Sequence, residues 1–330
     1  MDAPIGSMVL DMDRPTVIVT EPIHPAGIRL LEEAGAEVVQ LPPGSDERAL
    51  MEVAPRADAL ITRGGIRVTR AIMAASPRLR VVGVHGVGCD HVDLGAARDL
   101  GKVVLNTPSA LTATVAEMTL ALMLALTRRV VSADKAVRAG EWTRKYGDLI
   151  GSELMGKTVG VIGLGRIGAA VARRLKPFDV TLLYYDVTER TALEDELGVK
   201  RVDLDTLLRE SDIITLHTPL TPGTRGLLSR REFNLMKDGV YLVNTARGKV
   251  IDQRALVEAL KAGKVAGAAL DVFEEEPLDP EDPLASMDNV ILTPHLGASS
   301  REAMRRMAVQ VAEEVMEVLR GGVLESPVVM

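Results

Sequence analysis

Short apolar runs alternate with amphipathic segments through the first hundred residues. TVIVT at 16–20 predicts a buried strand, and PAGIRLLEEAG at 25–35 predicts a helix that precedes a second strand at 37–41. The alternation continues with predicted strands at 57–63, 79–86 and 102–108, separated by predicted helices at 70–77 and 93–101. This part of the chain is therefore predicted to form one α/β unit.

The same pattern resumes after Gly156. Apolar strands are predicted at 157–165, 180–186, 211–219, 239–248, 265–273 and 289–295, and helical segments alternate with them. Repeated units of this kind require a parallel sheet covered by helices. A last helix is predicted from about Ser300 to Arg320, where it could return to the first unit.

A very apolar segment joins the two halves. The residues from Thr112 to Gly140 have helical character and follow Pro108, so we place the domain crossing near Asn106. Glu117 and the pair at 128–129 interrupt the apolar run, which favours a buried or intersubunit helix over a membrane anchor.

Composition limits the possible functions. A length of 330 residues predicts about two domains, and a formal charge of −7 with 2% aromatic residues argues against nucleic-acid binding. The N-terminal segment is acidic where a signal peptide is basic, and the single Cys89 cannot form an internal disulfide. We therefore expect a cytoplasmic protein whose partners are small molecules or other subunits.

A glycine array lies where a predicted strand meets a helix. Gly163, Gly165 and Gly168 form G-x-G-x-x-G, in which the glycines permit a tight turn, close approach of pyrophosphate and helix–strand packing. Asp186 ends the next strand, eighteen residues after Gly168, where a carboxylate binds ribose hydroxyls and repels a 2′-phosphate. The combination predicts an NAD site, although Arg190 lies four residues further on.

Three further motifs follow predicted strands: NTARG with Arg247, ALDVFEEEP with Glu276, and TPHLGAS with His295. Hydride transfer to a ketoacid needs a proton donor, a group that orients it, and a cation for the carboxylate. His295 can exchange the proton, Glu276 can hold the imidazole, and Arg247 can bind a carboxylate through its planar fork. Each residue alone could equally be structural.

These motifs, together with GLGRIG, Asp186 and HTPLTPGTRGLL, resemble the D-isomer-specific 2-hydroxyacid dehydrogenases over nearly the whole chain. The resemblance implies two Rossmann- or flavodoxin-like α/β domains with parallel sheets. It implies an NAD-binding domain at 106–298, inserted into a discontinuous substrate domain at 1–105 and 299–330. It also implies that Arg247, Glu276 and His295 form the active site.

The resemblance implies further contacts. Those to NAD would come from Arg166, Ile167, Thr218, Pro219, Thr245, Ala246 and, toward the nicotinamide amide, Asp271. Those to substrate would come from Arg63, Val87, Gly88 and Arg247. Cys89 and His91 depart from the family pattern in the substrate loop. With His85 they could suggest a metal site, but no acidic or thiol partner accompanies them, and we expect no metal.

The specific substrate is open between two branches of the family. The stretch ELMGKTVGVIGLGRIG resembles phosphoglycerate dehydrogenases, which is our first hypothesis, whereas NTPSALTATVAE resembles glyoxylate and hydroxypyruvate reductases. An NAD-sensing protein similar to C-terminal binding protein corepressors is a third possibility. The resemblance also favours a homodimer, in which Trp142 either reaches a neighbouring subunit or packs within its own chain.

Overall fold

The computed structural model describes residues 14–322, 324 and 327–329. The chain forms two compact units: unit 1 comprises the chain up to Leu111 together with the chain from Arg301, and unit 2 comprises Thr112–Ser300. The sequence-based boundaries at 105/106 and 298/299 precede these divisions by six and two residues. Both units are α/β folds with parallel sheets, as predicted.

Unit 1 contains a five-stranded parallel sheet in the order β2-β1-β3-β4-β5. Its strands are β1 Thr16–Val19, β2 Glu37–Gln40, β3 Ala59–Thr62, β4 Val81–Val84 and β5 Val103–Asn106. Its helices are α1 Pro25–Glu33, α2 Glu47–Val53, α3 Arg70–Ala75, α4 Leu94–Asp99 and α12 Arg301–Leu319. Since β1, β3 and β4 are buried throughout, they form continuous apolar runs.

Helices cover both faces of this sheet. Ile18 and Leu60 face one apolar cluster, and Val17 and Ile61 face the other, as the two-residue period of a strand requires. On the second face α12 crosses α1 at close range at Gly27. A Cβ at this position would lie only 2.5 Å from the Ala308 carbonyl oxygen. A side chain at position 27 would separate these helices.

Unit 2 contains a seven-stranded parallel sheet in the order β12-β11-β10-β9-β6-β7-β8. Its strands are β6 Thr158–Ile162, β7 Thr181–Tyr185, β8 Lys200–Arg201, β9 Ile213–Leu216, β10 Val240–Asn244, β11 Val265–Leu270 and β12 Val290–Leu292. Its helices include α6 Val130–Arg138, α7 Arg166–Leu175, α8 Thr191–Leu197, α9 Leu204–Glu210, α10 Arg230–Leu235 and α11 Gln253–Lys261. The order reverses between β6 and β9, where ligands bind in open α/β sheets.

The segment from Thr112 to Gly140, predicted to have helical character, is made of two helices. Helix α5 spans Pro108–Thr127, and α6 follows after Arg129, whose φ of 53° is left-handed. A residue in that conformation ends the helical hydrogen-bonding pattern. By length and composition alone α5 could cross a membrane, with mean hydropathy 1.6, but half of that window is buried in the protein and core helices pass the same test.

Candidate active site

The glycine loop lies between β6 and α7. Gly163 has a φ of 91°, and Gly168 packs so closely that a Cβ there would lie 2.0 Å from the Gly163 carbonyl oxygen. Gly165 differs, because no atom lies within 4 Å of the position that its Cβ would occupy. The loop is therefore tightly packed on the protein side and open at Gly165, as the approach of a pyrophosphate requires.

Helix α7 presents its N-terminus to this opening. Gly165 is the N-cap and provides no side-chain acceptor for the first-turn N–H groups, which belong to residues including Arg166 and Ile167. These N–H groups, with the helix dipole, form a site that favours phosphate. Neighbouring strand β9 ends at the turn that contains Thr218 and Pro219.

Two polar atoms in this neighbouring turn are buried without a hydrogen-bond partner, the Thr218 Oγ1 and the His217 Nδ1. Burial lowers the pKa of His217 to about 3, so its imidazole is neutral, and its Nε2 lies 2.9 Å from the Thr215 Oγ1. A neutral, buried ring of this kind is a poor proton donor. Orphaned buried polar groups beside an open glycine loop fit a bound dinucleotide.

Asp186 follows β7 and connects back to the glycine loop. Its Oδ2 accepts a hydrogen bond from the Leu164 N–H at 2.8 Å, and its Oδ1 accepts one from the Thr188 N–H at 2.9 Å. The Arg190 Nε lies 4.0 Å from the same carboxylate. A carboxylate and a guanidinium therefore lie together at the position predicted for the adenosine ribose.

His295 and Glu276 form a hydrogen-bonded pair. The His295 Nδ1 lies 2.8 Å from the Glu276 Oε2, while the Glu276 Oε1 accepts a hydrogen bond from the Phe273 N–H at 3.0 Å. This hydrogen bond and the charge of Glu276 raise the pKa of His295 against the effects of burial and Arg247. Burial opposes ionisation of Glu276, but His295, the Phe273 N–H and Arg247 together lower its pKa.

Arg247 lies close enough for its charge to act on both members of the pair. It follows β10, and its Nη1 donates a hydrogen bond to the Ala246 carbonyl oxygen at 2.6 Å. The next residue, Gly248, packs directly on the following loop, since a Cβ there would lie 1.8 Å from the Phe273 carbonyl oxygen. The absence of a side chain at 248 thus brings the Arg247 loop against the loop that carries Glu276.

The remaining predicted residues of unit 2 lie nearby in the sheet. Thr245 is buried, and its Oγ1 lies 2.8 Å from the Thr119 Oγ1 on α5. Asp271 is fully buried at the end of β11, and its carboxylate accepts hydrogen bonds from the loop that carries His295. The structure thus brings the glycine loop, Arg247, Glu276 and His295 to the carboxyl ends of one sheet.

Arg63, Val87 and Gly88 belong to unit 1, at the carboxyl ends of β3 and β4. The Arg63 Nη1 donates to the Pro22 carbonyl oxygen at 2.8 Å, and its Nη2 lies 3.7 Å from the Met304 sulfur. The Val87 carbonyl oxygen accepts a hydrogen bond from the Asn106 side chain at 2.7 Å.

Glu21 in this unit was not predicted from the sequence. One Glu21 oxygen accepts a hydrogen bond from the Arg63 N–H at 2.9 Å, and the other accepts from the N–H groups of Gly65 and Ile66. No motif marks Glu21, so only the fold reveals this contact. Burial and the charge of Arg63 lower the pKa of nearby His85 to about 4. Within the part of the chain that the structure describes, no three His, Cys, Asp or Glu side chains cluster as a metal site.

A glycine loop at the sheet's switch point, with an imidazole–carboxylate pair and a guanidinium at the carboxyl ends of the same sheet, is the arrangement expected of an α/β dehydrogenase. The model of the D-isomer specific 2-hydroxyacid dehydrogenase NAD binding domain matches residues 120–297. The chain therefore belongs to the D-isomer specific 2-hydroxyacid dehydrogenases, which makes it an NAD-dependent oxidoreductase acting on CH–OH donors.

Individual relatives fall into two groups. The chain is 45% identical over 316 residues to glyoxylate reductase of Thermofilum pendens, covering 94% of this chain and 93% of that protein. It is 44% identical over 305 residues to D-3-phosphoglycerate dehydrogenase of Archaeoglobus fulgidus, covering 92% of this chain but 57% of that protein. The crystal structure of TT0316 protein from Thermus thermophilus is 40% identical, with a TM-score of 0.86 over 95% of this chain and 100% of that one.

Proposed function

We propose that His295 is the acid–base group and that Arg247 binds the carboxylate of a 2-ketoacid or 2-hydroxyacid. The observation that carries this proposal is the 2.8 Å contact between the His295 Nδ1 and Glu276, which leaves Nε2 for the substrate oxygen. NADH, when bound, supplies the hydride for the carbonyl carbon. His295 then donates its Nε2 proton to the carbonyl oxygen, and Glu276 stabilises the imidazolium before transfer.

The test of this chemistry is His295→Ala, with NADH binding measured by fluorescence titration. Turnover should fall by at least about 10²-fold, because general acid catalysis is lost, while the Kd for NADH stays unchanged. Retained turnover would refute the assignment. Negligible turnover in the wild-type protein, with peptide binding that depends on NAD, would instead support the corepressor-like alternative.

For the substrate, we propose the pair 3-phosphoglycerate and 3-phosphohydroxypyruvate. The support is Arg63, an exposed guanidinium that the family resemblance assigns to substrate binding. Its two observed hydrogen bonds use one proton on Nη1 and one on Nη2, whereas a guanidinium has five N–H donors. The remaining donors suit a phosphate, which a planar fork binds in a bidentate manner.

Glyoxylate and hydroxypyruvate form the second candidate. The observation that favours them is the correspondence with the glyoxylate reductase relative over 93% of that protein, at an identity matching that of the phosphoglycerate dehydrogenase relative. These ketoacids lack a phosphate, so Arg63 would then contribute little to selectivity among them.

The deciding experiment compares kcat/KM for 3-phosphohydroxypyruvate, hydroxypyruvate and glyoxylate in the wild-type protein and in Arg63→Ala. A phosphate contact predicts a loss of about tenfold or more for the phosphorylated substrate alone, because a hydrogen bond to a charged group contributes about 1.5–3 kcal/mol. Arg48→Ala is the matched control, since Arg48 is an exposed arginine elsewhere in unit 1. Preference of the wild-type protein for unphosphorylated ketoacids would select the second candidate.

We also propose a cytoplasmic homodimer. The support is a run of exposed apolar side chains beyond α5, including Val137 at 57%, Trp142 at 63% and Ile150 at 69% exposure. A run of this kind is typical of a protein interface. The Lys145 ammonium lies 5.1 Å from the centroid of the Trp142 ring, and this ring is not packed in the core of its own chain. Sedimentation should show a dimer that Val137→Glu dissociates; a monomeric wild-type protein would refute the assembly.

A further inference from the structure

Two buried polar residues end adjacent strands of unit 2, Asn244 on β10 and Asp271 directly after β11. Both are fully buried, and the Asp271 N–H donates a hydrogen bond to the Asn244 carbonyl oxygen at 2.9 Å. Buried polar groups must be satisfied by hydrogen bonds, so the hydrogen-bond partners of Asn244 and Asp271 identify the loops that these side chains hold in place.

The Asp271 carboxylate binds the loop that carries His295. Its Oδ1 accepts hydrogen bonds from the Thr293 Oγ1 at 2.6 Å and the Leu296 N–H at 2.8 Å, and its Oδ2 accepts one from the Gly297 N–H at 2.7 Å. The Asp271 carbonyl oxygen accepts a fourth hydrogen bond, from the His295 N–H at 2.9 Å. One residue thus binds the loop on both sides of the imidazole.

The loop that carries His295 depends on these hydrogen bonds to Asp271 because of its backbone conformation. His295 has a φ of 52°, in the left-handed region that is unfavourable for residues with a Cβ by about 1–2 kcal/mol. A conformation of this kind persists only when surrounding contacts determine it. The four hydrogen bonds to Asp271 provide those contacts.

Asn244 holds the Arg247 loop in the same way. Its Nδ2 donates a hydrogen bond to the Arg247 carbonyl oxygen at 2.9 Å, and its Oδ1 accepts one from the Ala246 N–H at 3.0 Å. Both ends of the amide therefore bind the backbone of the loop that follows the strand, at Ala246 and Arg247.

We propose that Asn244 and Asp271 are a pair of positioning residues: Asp271 sets the orientation of His295, and Asn244 sets that of Arg247. The inference rests on the proposed roles of His295 and Arg247. For Asp271 it differs from a nicotinamide contact, because three of the hydrogen bonds that its carboxylate accepts come from the protein itself.

The two halves of the pair predict different kinetic defects. Asp271→Asn keeps the shape but turns an amide N–H₂ toward groups that donate. We expect kcat to fall about 10- to 100-fold, since small displacements of a reacting group have effects of that size. Asn244→Ala releases the Arg247 loop and should mainly raise KM for the ketoacid, because Arg247 binds its carboxylate.

The pH profile provides a readout that loss of stability alone would not move. The charged groups that act on His295 are Glu276, Arg247 and Asp271, and both carboxylates favour its protonated form. Removing the Asp271 charge should lower the pKa of His295. As pH rises, the reduction rate should therefore begin to fall at a lower pH than in the wild-type protein. The Kd for NADH, measured by fluorescence titration, should stay within about twofold, because the glycine loop and Asp186, which are predicted to bind the pyrophosphate and ribose, are untouched.

Ser211→Ala is the matched control, because it removes another buried hydrogen bond of unit 2, to the Leu207 carbonyl oxygen at 2.7 Å. If Asp271→Asn matches this control in kcat and pH profile, the positioning role of Asp271 is refuted. An NADH affinity weakened in proportion to kcat would also refute it. An unchanged KM in Asn244→Ala would refute the role of Asn244.

Two further variants keep the outcome decisive. If Asp271→Asn does not fold, Thr293→Val removes one of the three carboxylate contacts and leaves the charge, and it should lower kcat; an unchanged kcat overturns the proposal. His295→Ala separates the proposals: if it keeps wild-type turnover, the proposed function fails. If it abolishes turnover while Asp271→Asn is normal, only the positioning inference fails.

Discussion

Replacing Glu276 with glutamine should lower the pKa of His295 and slow ketoacid reduction at neutral pH. In the native protein the Glu276 Oε1 accepts from the Phe273 N–H and the Oε2 pairs with His295. A glutamine amide has an oxygen at only one of these two positions, so if it keeps the Phe273 contact it presents an N–H₂ donor to His295, which suits a neutral Nδ1 but not the imidazolium. The variant loses the negative charge and the acceptor that stabilises protonated His295.

The sign of the effect follows from the groups around His295. Its pKa is raised by Glu276, first through the hydrogen bond and then through charge, while burial and Arg247 lower it and Asp271 contributes the smallest increase. Without Glu276 the lowering effects of burial and Arg247 outweigh Asp271, so the pKa of His295 should be lowered instead of raised. At a pH above the pKa of His295 in both proteins, each unit by which that pKa falls reduces the protonated fraction of His295 about tenfold.

Reduction uses protonated His295, so kcat/KM should be constant at low pH and fall as pH rises through this pKa. In Glu276→Gln the fall should begin at lower pH. At about pH 7.5 the loss should reach about 10²-fold, of the size that acid–base catalysis contributes. Oxidation of the hydroxyacid uses the neutral imidazole, so its rate should rise with pH, and that rise should also move to lower pH.

The assay is the initial rate of NADH oxidation across the pH range. The substrate is whichever of 3-phosphohydroxypyruvate, hydroxypyruvate and glyoxylate gives the highest kcat/KM with the wild-type protein. Glu275→Gln is the control, because Glu275 is the exposed neighbour and makes no contact with His295 that the structure describes. A pH midpoint in Glu276→Gln equal to that of wild type would refute the role of Glu276.

Three further predictions concern the cofactor loop and its surroundings. Asp186→Ala should weaken NADH binding about tenfold and bring the Kd values for NADH and NADPH closer together, because the carboxylate is lost while Arg190 remains. Fluorescence titration with both cofactors checks this, and an unchanged ratio of the two Kd values would contradict it. Gly165→Val should abolish NADH binding without lowering Tm, because space near Gly165 is open; retained binding would show that phosphate does not approach there. Gly248→Ala should lower both Tm and kcat, because its Cβ meets the Phe273 carbonyl; wild-type values for both would contradict that packing.

Much of the fold was predictable because its signals are local. Buried parallel strands are continuous apolar runs, and the G-x-G-x-x-G spacing indicates a strand-to-helix turn. The break between α5 and α6 was not predictable, because Arg129 occupies a left-handed conformation with no glycine or proline to signal it. The two-residue strand β8 was missed because both of its residues are exposed and charged.

In the candidate site, too, the residues with a local sequence signal were predictable and the others were not. His295, Glu276 and Arg247 could be proposed from the sequence because reactive residue types follow apolar strands in recognisable motifs, and the structure places the three close together. The roles of Asn244, Gly248 and Glu21 were not found, because they depend on which backbone atoms the fold brings within reach. Gly248 shows this most clearly, since only its packing against Phe273 reveals why a glycine is required.

The register of the sheet explains how the three motifs meet. Asn244 on β10 pairs with Leu270 on β11, and Leu270 pairs with Leu292 on β12, so the three strands end at one level. The first residues beyond β11 and β12, Asp271 and Thr293, therefore lie side by side and form the 2.6 Å hydrogen bond. Since the loops that carry Arg247, Glu276 and His295 all start from this level, inserting one residue between Leu292 and His295 should displace the imidazole from Glu276 while leaving the glycine loop and NADH binding intact.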